Sequence, residues 1–365
     1  MGFLQLLEVA SAPVIQVLLI SAVGAFMATD YCDNLLSAEF RKSLNKIVFF
    51  AFTPSLIFAS FSKNVSLEDM ISWWFMPVNI GCTFLIGGIL GWILVKVLKP
   101  NLKVQGLIIA SCSTGNMGNL PVVIIPAICD QKGGPFGAPD DCRNRALSYS
   151  FCSLALGGVF IWTYTYQLMQ NTSLRYKAFE AAEILKIPSK DIDANAEARL
   201  LKQNDGYAVD TENQINDGNS CPNPGRTNVT PNNCYITETE FILYRDGTIP
   251  CITVLLGGNL TQGMRSSSIQ PLILICIIIA RLFLLPAIGF FVVKAAANFG
   301  FLPLDPLFQY VLVMQYAMPP AMNISTMAQL FDVGTEEFSV ILLWTYGAST
   351  IALTLWSTFL IWIFS

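Results

Sequence analysis

Runs of about twenty predominantly apolar residues recur along this chain of 365 residues. They constrain the fold more than any motif does. A bilayer-spanning helix needs about 20 such residues, and lipid offers no partner to a free backbone N–H or C=O. Five spans fall in the first half, at about 9–28, 44–62, 71–98, 104–128 and 146–170. Four more follow at about 249–264, 269–297, 307–330 and 338–364. Charged residues make up 13% of the chain and apolar ones 53%, roughly half the charge of a soluble domain. The fold class is therefore all-α and polytopic. A net charge of −4 argues against a nucleic-acid partner, which leaves a small molecule and membrane lipid as the expected partners, with a homodimer held open.

From Asn171 to about Gly247 the composition turns to Asn, Asp, Glu, Lys and Gly. That reads as a largely disordered polar loop with a short helix near 176–185. The chain then divides into a first membrane region (1–170), a loop (171–247) and a second membrane region (248–365). Arg41, Lys42 and Lys46 border the first inter-span loop, Lys96, Lys99 and Lys103 surround the third, and Arg175, Lys177, Lys186 and Lys190 enter the long one. The excess of Lys and Arg places these loops in the cytoplasm. Cys129 and Cys142 flank the fourth loop and are free to pair if it faces an oxidising lumen. Of the glycosylation sequons, only Asn64 falls on the lumenal side.

Two spans carry a matching interruption. Gly115-Asn116-Met117-Gly118-Asn119-Leu120-Pro121 breaks the run from Val104 to Ile128. Met318-Pro319-Pro320-Ala321-Met322-Asn323-Ile324-Ser325 breaks the run from Leu307 to Leu330. Proline lacks an N–H and clashes with the preceding turn, and a matching pair of broken spans in two halves points to a transporter's binding site. The third and seventh spans also correspond, as do the fifth and ninth and the second and sixth. The first has no counterpart, so the second half reads as a copy of the first without its leading helix.

Half-helix N-termini carry about half a positive charge and free N–H groups. Asparagine amides donate to a carboxylate without burying a full charge. An organic anion with an apolar body is the substrate class this chemistry suits. The structural alternative is a pair of proline kinks whose asparagines bond neighbouring helices. Arg281, near the middle of 269–297, is either a functional group or a partner of backbone carbonyls. Gln315, Asn259, Gln262 and Asn79 are weaker polar candidates.

The chain has no histidine, and its ten cysteines lack CxxC pairs or metal-ligand spacing. No enzyme constellation, metal or cofactor is expected. Carboxylates are nearly missing from span interiors, so there is no proton relay. Facilitated or potential-driven movement of an anion fits better.

The run Ser111-Cys112-Ser113-Thr114-Gly115-Asn116-Met117-Gly118-Asn119-Leu120-Pro121 resembles the fourth span of the plant PIN-LIKES proteins, of the auxin efflux carrier superfamily. Asp246-Gly247-Thr248-Ile249-Pro250, Leu256-Gly257-Gly258-Asn259-Leu260 and Pro319-Pro320-Ala321-Met322-Asn323 are similar to that family as well. The resemblance implies ten spans in two inverted repeats of five helices, with broken helices crossing at the site. It also implies carriage of auxin, indole-3-acetic acid, across the endoplasmic reticulum membrane, with an effect on auxin signalling. The crossing then falls on Asn116, Asn119, Pro121, Pro319, Pro320 and Asn323, with Gln315 and Arg281 beside it. Family members have a further apolar helix before the Asp-Gly-Thr-Ile-Pro segment. Here Glu238–Arg245 runs straight into that segment with too few apolar residues to span. Nine simple crossings would make the repeats parallel and prevent the broken helices from meeting. A re-entrant Phe241–Leu256 would keep them inverted. The readings that follow are an auxin carrier, an inactive or regulatory isoform of one, and a carrier of another organic anion.

Overall fold

The computed structural model describes residues 15, 19–33, 35–52, 55, 71–129, 136–184, 247, 250, 251, 253–255, 257, 258, 269–303 and 305–364. Of Phe49, Asn119, Val123 and Ala127 only the backbone is described. The Asn64 sequon, the segment Glu238–Arg245 and residues 185–246 of the polar loop lie outside these residues. The chain forms two units, one of Met1–Tyr176 with Glu238–Ser365 and one of Lys177–Thr237. In the second unit residues 177–184 are described, and they are helical.

Residues 19–27 are helical, and α1 (Ala38–Ile47) follows with Ser37 as its N-cap, accepting from the Phe40 N–H at 3.3 Å. A π-helical turn, Val48–Phe52, continues α1. The next four helices are α2 (Phe75–Leu98), α3 (Leu102–Ser113), α4 (Asn119–Cys129) and α5 (Pro139–Phe160). A second π turn, Ile161–Thr165, joins α5 to α6 (Tyr166–Ile184). In the second half a π turn at Ala280–Leu284 joins α7 (Pro271–Ile279) to α8 (Leu285–Asn298). Then come α9 (Pro306–Ala317), α10 (Asn323–Leu330) and α11 (Thr335–Phe364).

Among the described residues, four stretches are long and apolar enough to cross a bilayer: Phe75–Leu98, Pro139–Ala182, Pro271–Asn298 and Thr335–Phe364. Between each pair lies a span split in two, α3/α4 and α9/α10. The order long, half, half, long thus occurs twice. The prolines explain the splits. Pro319 and Pro320 cannot extend α9, whereas Pro121 sits in the first turn of α4, where a missing N–H costs nothing. The helical stretch that begins at Pro139 runs on through Ile184, past residue 170, where the apolar pattern stops.

The two halves run in opposite directions. Lys103, at the start of α3, pairs with Glu337, at the start of α11, with N···O 3.1 Å. Arg145, near the start of α5, pairs with Asp305, the N-cap of α9, at 3.0 Å. Each pair joins a broken span of one half to the last helix of the other, one pair at each end of the bundle. In both, the first half supplies the cation and the second half the anion. The end with Lys103 also carries Lys99. Lys42 and Lys46 of α1 line a crevice with Thr326, Gln329 and Leu330 of α10 at that same end. The opposite end carries a disulfide between Cys129 and Cys142, with Cα atoms 5.6 Å apart.

Glycines set how closely the helices approach. A Cβ on Gly87 of α2 would collide with the Cys112 carbonyl oxygen of α3, and one on Gly91 would lie 2.7 Å from the Ile109 Cα. Gly289 of α8 plays the same part against the Tyr316 ring of α9. The segment that contains Gly247 and Gly258 packs against the first helices. Gly247 lies near the Phe52 ring, whereas Gly258 lies against Arg41 and Ala28 near the basic end. Phe52 is 14 residues past the start of α1, roughly 20 Å of helix at 1.5 Å per residue. The segment therefore rises from depth to the basic end, where α7 begins, and the second half enters inverted. Gly24 and Gly257 allow its close contact with the first helix, and the Ser21 hydroxyl donates to the Thr253 carbonyl at 3.3 Å.

Gly87→Ala should lower stability by about 1–3 kcal/mol through overpacking, seen as a lower melting temperature in detergent. Gly347→Ala, which meets nothing within 4 Å, should leave that temperature unchanged.

Candidate functional site

The two interruptions meet. Residues 114–118 and 318–322 lie side by side with an antiparallel bridge between Gly115 and Pro320. The Asn116 N–H donates to the Pro319 carbonyl at 2.8 Å, and the Ala321 N–H donates to the Thr114 carbonyl at 2.9 Å. This short clasp gives partners to backbone groups that the breaks release and that lipid cannot satisfy. Inverted halves are what allow it, so the parallel arrangement expected from nine simple crossings is not adopted.

Arg281 sits in the π turn between α7 and α8, fully buried at 0% exposure. Its Nε donates to the Met318 carbonyl at 2.8 Å, just past the end of α9. Its Nη1 donates to the carbonyls of Cys112 at 2.7 Å and Ser113 at 3.3 Å, at the end of α3. Nη2 is buried without a hydrogen-bond partner. A Cβ on Gly115 would collide with Nη2, so only glycine lets the guanidinium reach the clasp. Helix C-termini expose unsatisfied carbonyls and carry about half a negative charge each. One guanidinium between two such ends explains how a buried arginine persists without a carboxylate. Of the two readings of Arg281, the carbonyl partner is the one its hydrogen bonds display.

Asn116 is buried, and its amide donates to the Tyr346 hydroxyl at 2.8 Å, which in turn donates to the Pro320 carbonyl at 3.2 Å. Tyr346, on α11, thus ties both interruptions to the last helix. Sequence reasoning missed it as a site residue; its one signal was the correspondence of the fifth and ninth spans. Thr165 of the second π turn reaches Thr114, with the hydroxyls 2.8 Å apart. Pro121 accepts at its carbonyl from the Ser150 hydroxyl at 3.3 Å. Asn119 and Asn323 begin α4 and α10, so the half-helix N-termini also face the clasp region.

Gln315 stands apart from this group. Its amide donates to the Ser153 hydroxyl at 2.7 Å and its carbonyl accepts from the Asn79 amide at 2.8 Å. Asn79 also donates to the Leu312 carbonyl at 3.0 Å and accepts from the Tyr316 hydroxyl at 3.2 Å. These bonds knit α2, α5 and α9 together rather than reaching the clasp. Asn259 and Gln262 lie outside the described residues. A cavity of about 440 Å³ opens at the basic end among Lys99, Lys103, Tyr176, Gln270 and Glu337. Lys103 is 12 residues from Gly115, about 18 Å along helix, so this cavity is not the clasp itself.

The family model of membrane transport proteins matches residues 9–215 and 229–357. The chain belongs to the membrane transport protein family. It is similar to Protein PIN-LIKES 7 of Arabidopsis thaliana, 50% identical over 396 aligned positions that take in the whole of both chains. Protein PIN-LIKES 5 of the same plant is 47% identical over 98% of each chain. Protein PIN-LIKES 3 is 39% identical over 99% of this chain and 98% of its own. These matches place the chain among the PIN-LIKES proteins, as a multi-pass membrane transporter and not an enzyme. The first alignment has 396 positions against 365 residues here, leaving about 31 filled by the relative alone.

Gln315→Ala, which strips partners from Asn79 and Ser153, should lower stability by about 1–3 kcal/mol. Substrate affinity of the folded protein should stay within about twofold of the parent. A large affinity loss at unchanged melting temperature would place Gln315 in the binding site instead.

Proposed function

We propose that this chain is a carrier of indole-3-acetic acid in the endoplasmic reticulum membrane, moving it out of the cytoplasm and so limiting auxin signalling. The observation that carries the reading is the distribution of charge at the clasp. Broken spans bring four half-helix ends together. Arg281 offsets the two negative C-terminal ends, while the positive N-terminal ends of α4 and α10 remain. No Asp or Glu occurs in α2, α3, α4, α7, α8, α9 or α10 to oppose an anion. Asn116 and Asn323 supply amides, Asn119 opens α4, Pro121, Pro319 and Pro320 hold the breaks open, and Arg281 supplies a buried donor. The carboxylate of indole-3-acetic acid matches these donors. Gln315 supports the site from one turn back on α9.

Location in the endoplasmic reticulum is supported by the two ends of the bundle. Lysines gather at one end, as cytoplasmic loops require. The Cys129–Cys142 disulfide lies at the other and persists only against an oxidising compartment. A second reading, a non-transporting isoform, draws on the shortfall of about 31 positions against PIN-LIKES 7.

Vesicles containing this chain should take up labelled indole-3-acetic acid, and Asn119→Ala combined with Asn323→Ala should reduce that uptake at least tenfold. Uptake by the parent chain no greater than in empty vesicles would favour the non-transporting reading. Uptake of another organic anion alone would reassign the substrate. Tags placed before Met1 and after Ser365 should be accessible from the same side of the membrane, opposite the loop that holds Lys99. Accessibility from opposite sides would contradict the inverted second half.

A further inference from the structure

Three backbone carbonyls, those of Cys112, Ser113 and Met318, converge on the Arg281 guanidinium from the C-terminal ends of α3 and α9. In transporters with broken spans, half-helix C-terminal ends and unwound carbonyls are the groups that coordinate a coupling cation. We propose that these carbonyls form a monovalent-cation site that the chain fills with its own Arg281, so that carriage needs no external coupling ion. The inference builds on the reading of the clasp as a transport site, but its central claim concerns the cation.

Charge and geometry support this. Two helix C-terminal ends contribute about half a negative charge each, so the site balances roughly one positive charge, and a guanidinium supplies it. No carboxylate belongs to the helices that form the site, which leaves the carbonyl dipoles as its only described negative groups. The carbonyls come from both halves of the chain, so whatever fills the site also holds the halves together. The residue beside the guanidinium is Gly115, where any side chain would occupy the place of Nη2. That fit is specific to a tethered cation, because a small ion would leave room for a Cβ. The unpartnered Nη2 points to a second use. Once three carbonyls are satisfied by Nε and Nη1, one nitrogen remains to donate to an anion's oxygen. Arg281 would then hold the clasp and meet the substrate with one group.

The test compares the purified full chain with Arg281→Ala, Arg281→Gln and Arg281→Lys. Each is melted in sodium, potassium or N-methylglucamine chloride at constant ionic strength. The parent should melt at the same temperature in all three. Arg281→Ala and Arg281→Gln should melt lower in N-methylglucamine and recover several degrees along a saturable sodium or potassium curve. Arg281→Lys, which keeps a charge, should show no such curve. A saturable response of the parent to sodium or potassium would overturn the proposal, and this arm stands even if no variant can be purified. So would a folded Arg281→Ala that melts alike in all three salts. Uptake by the parent in the same salts separates the two claims. Equal uptake in all three supports built-in charge, and dependence on sodium or potassium overturns it. No uptake in any salt removes the transport reading, and the melting curves alone then decide the cation site.

Discussion

A guanidinium held between the C-terminal ends of two half-helices is the interaction on which the rest of this structure depends. Breaking a span in lipid releases carbonyls and N–H groups that must find protein partners. Arg281 takes carbonyls from α3 and α9, and the clasp between Gly115 and Pro320 takes the neighbouring backbone groups. Other features follow from this centre. Gly87 and Gly91 let α3 lie close enough to α2 to carry the Cys112 carbonyl inward, and Gly115 leaves room for the guanidinium. The π turn at Ala280–Leu284 places Arg281 at the level of both interruptions. Tyr346 fastens Asn116 and Pro320 to α11.

The same centre sorts charge. Of the four half-helix ends, the negative pair is matched by an arginine of the chain and the positive pair is left facing the clasp. Among the described residues, acidic side chains are kept to the ends of the bundle, where two of them complete the inter-half ion pairs. Those pairs are partly buried: Glu337 is 5% exposed opposite Lys103 at 33%, and Asp305 is 17% exposed opposite Arg145 at 35%. Exposed pairs contribute little, whereas partly buried ones cost more to break. Their larger effect is on register, since each fixes a broken span of one half against the last helix of the other. The clasp is thus held at its centre and at both ends.

The alignment with PIN-LIKES 7 has about 31 positions that this chain does not fill, yet the crossing is complete. The reason is where the crossing gets its parts. Every group named at the clasp belongs to α3, α4, α5, α9, α10, α11, the π turns beside them or the interruptions themselves. The leading helix of the second half, which the resemblance places before the Asp-Gly-Thr-Ile-Pro segment, supplies none of them. What that helix would govern is the direction of entry. Here the segment of Gly247 and Gly258 rises along the first helix to the basic end, and α7 starts with the orientation that the clasp needs.

Much of this was legible in the sequence. Apolar runs fixed the all-helical membrane class, because hydrocarbon tolerates no other open backbone. Pro121, Pro319 and Pro320, each beside asparagine and small residues, located the two interruptions, because proline cannot donate to the preceding turn. Arg281 announced itself as a charge inside an apolar run. Other features depended on chain contacts that no local pattern encodes. Tyr346 is an ordinary residue of an apolar helix until the fold sets its hydroxyl between Asn116 and Pro320. Gln315 stood out as a polar residue inside an apolar run, and only packing set its amide between Asn79 and Ser153. Cys129 and Cys142 could be paired only once α4 and α5 lay side by side. Sequence by itself determined where the spans break, since that is a local property of proline and apolar length. Only tertiary structure decided that the breaks meet around one arginine, since direction of entry and side-chain reach are set by the whole bundle.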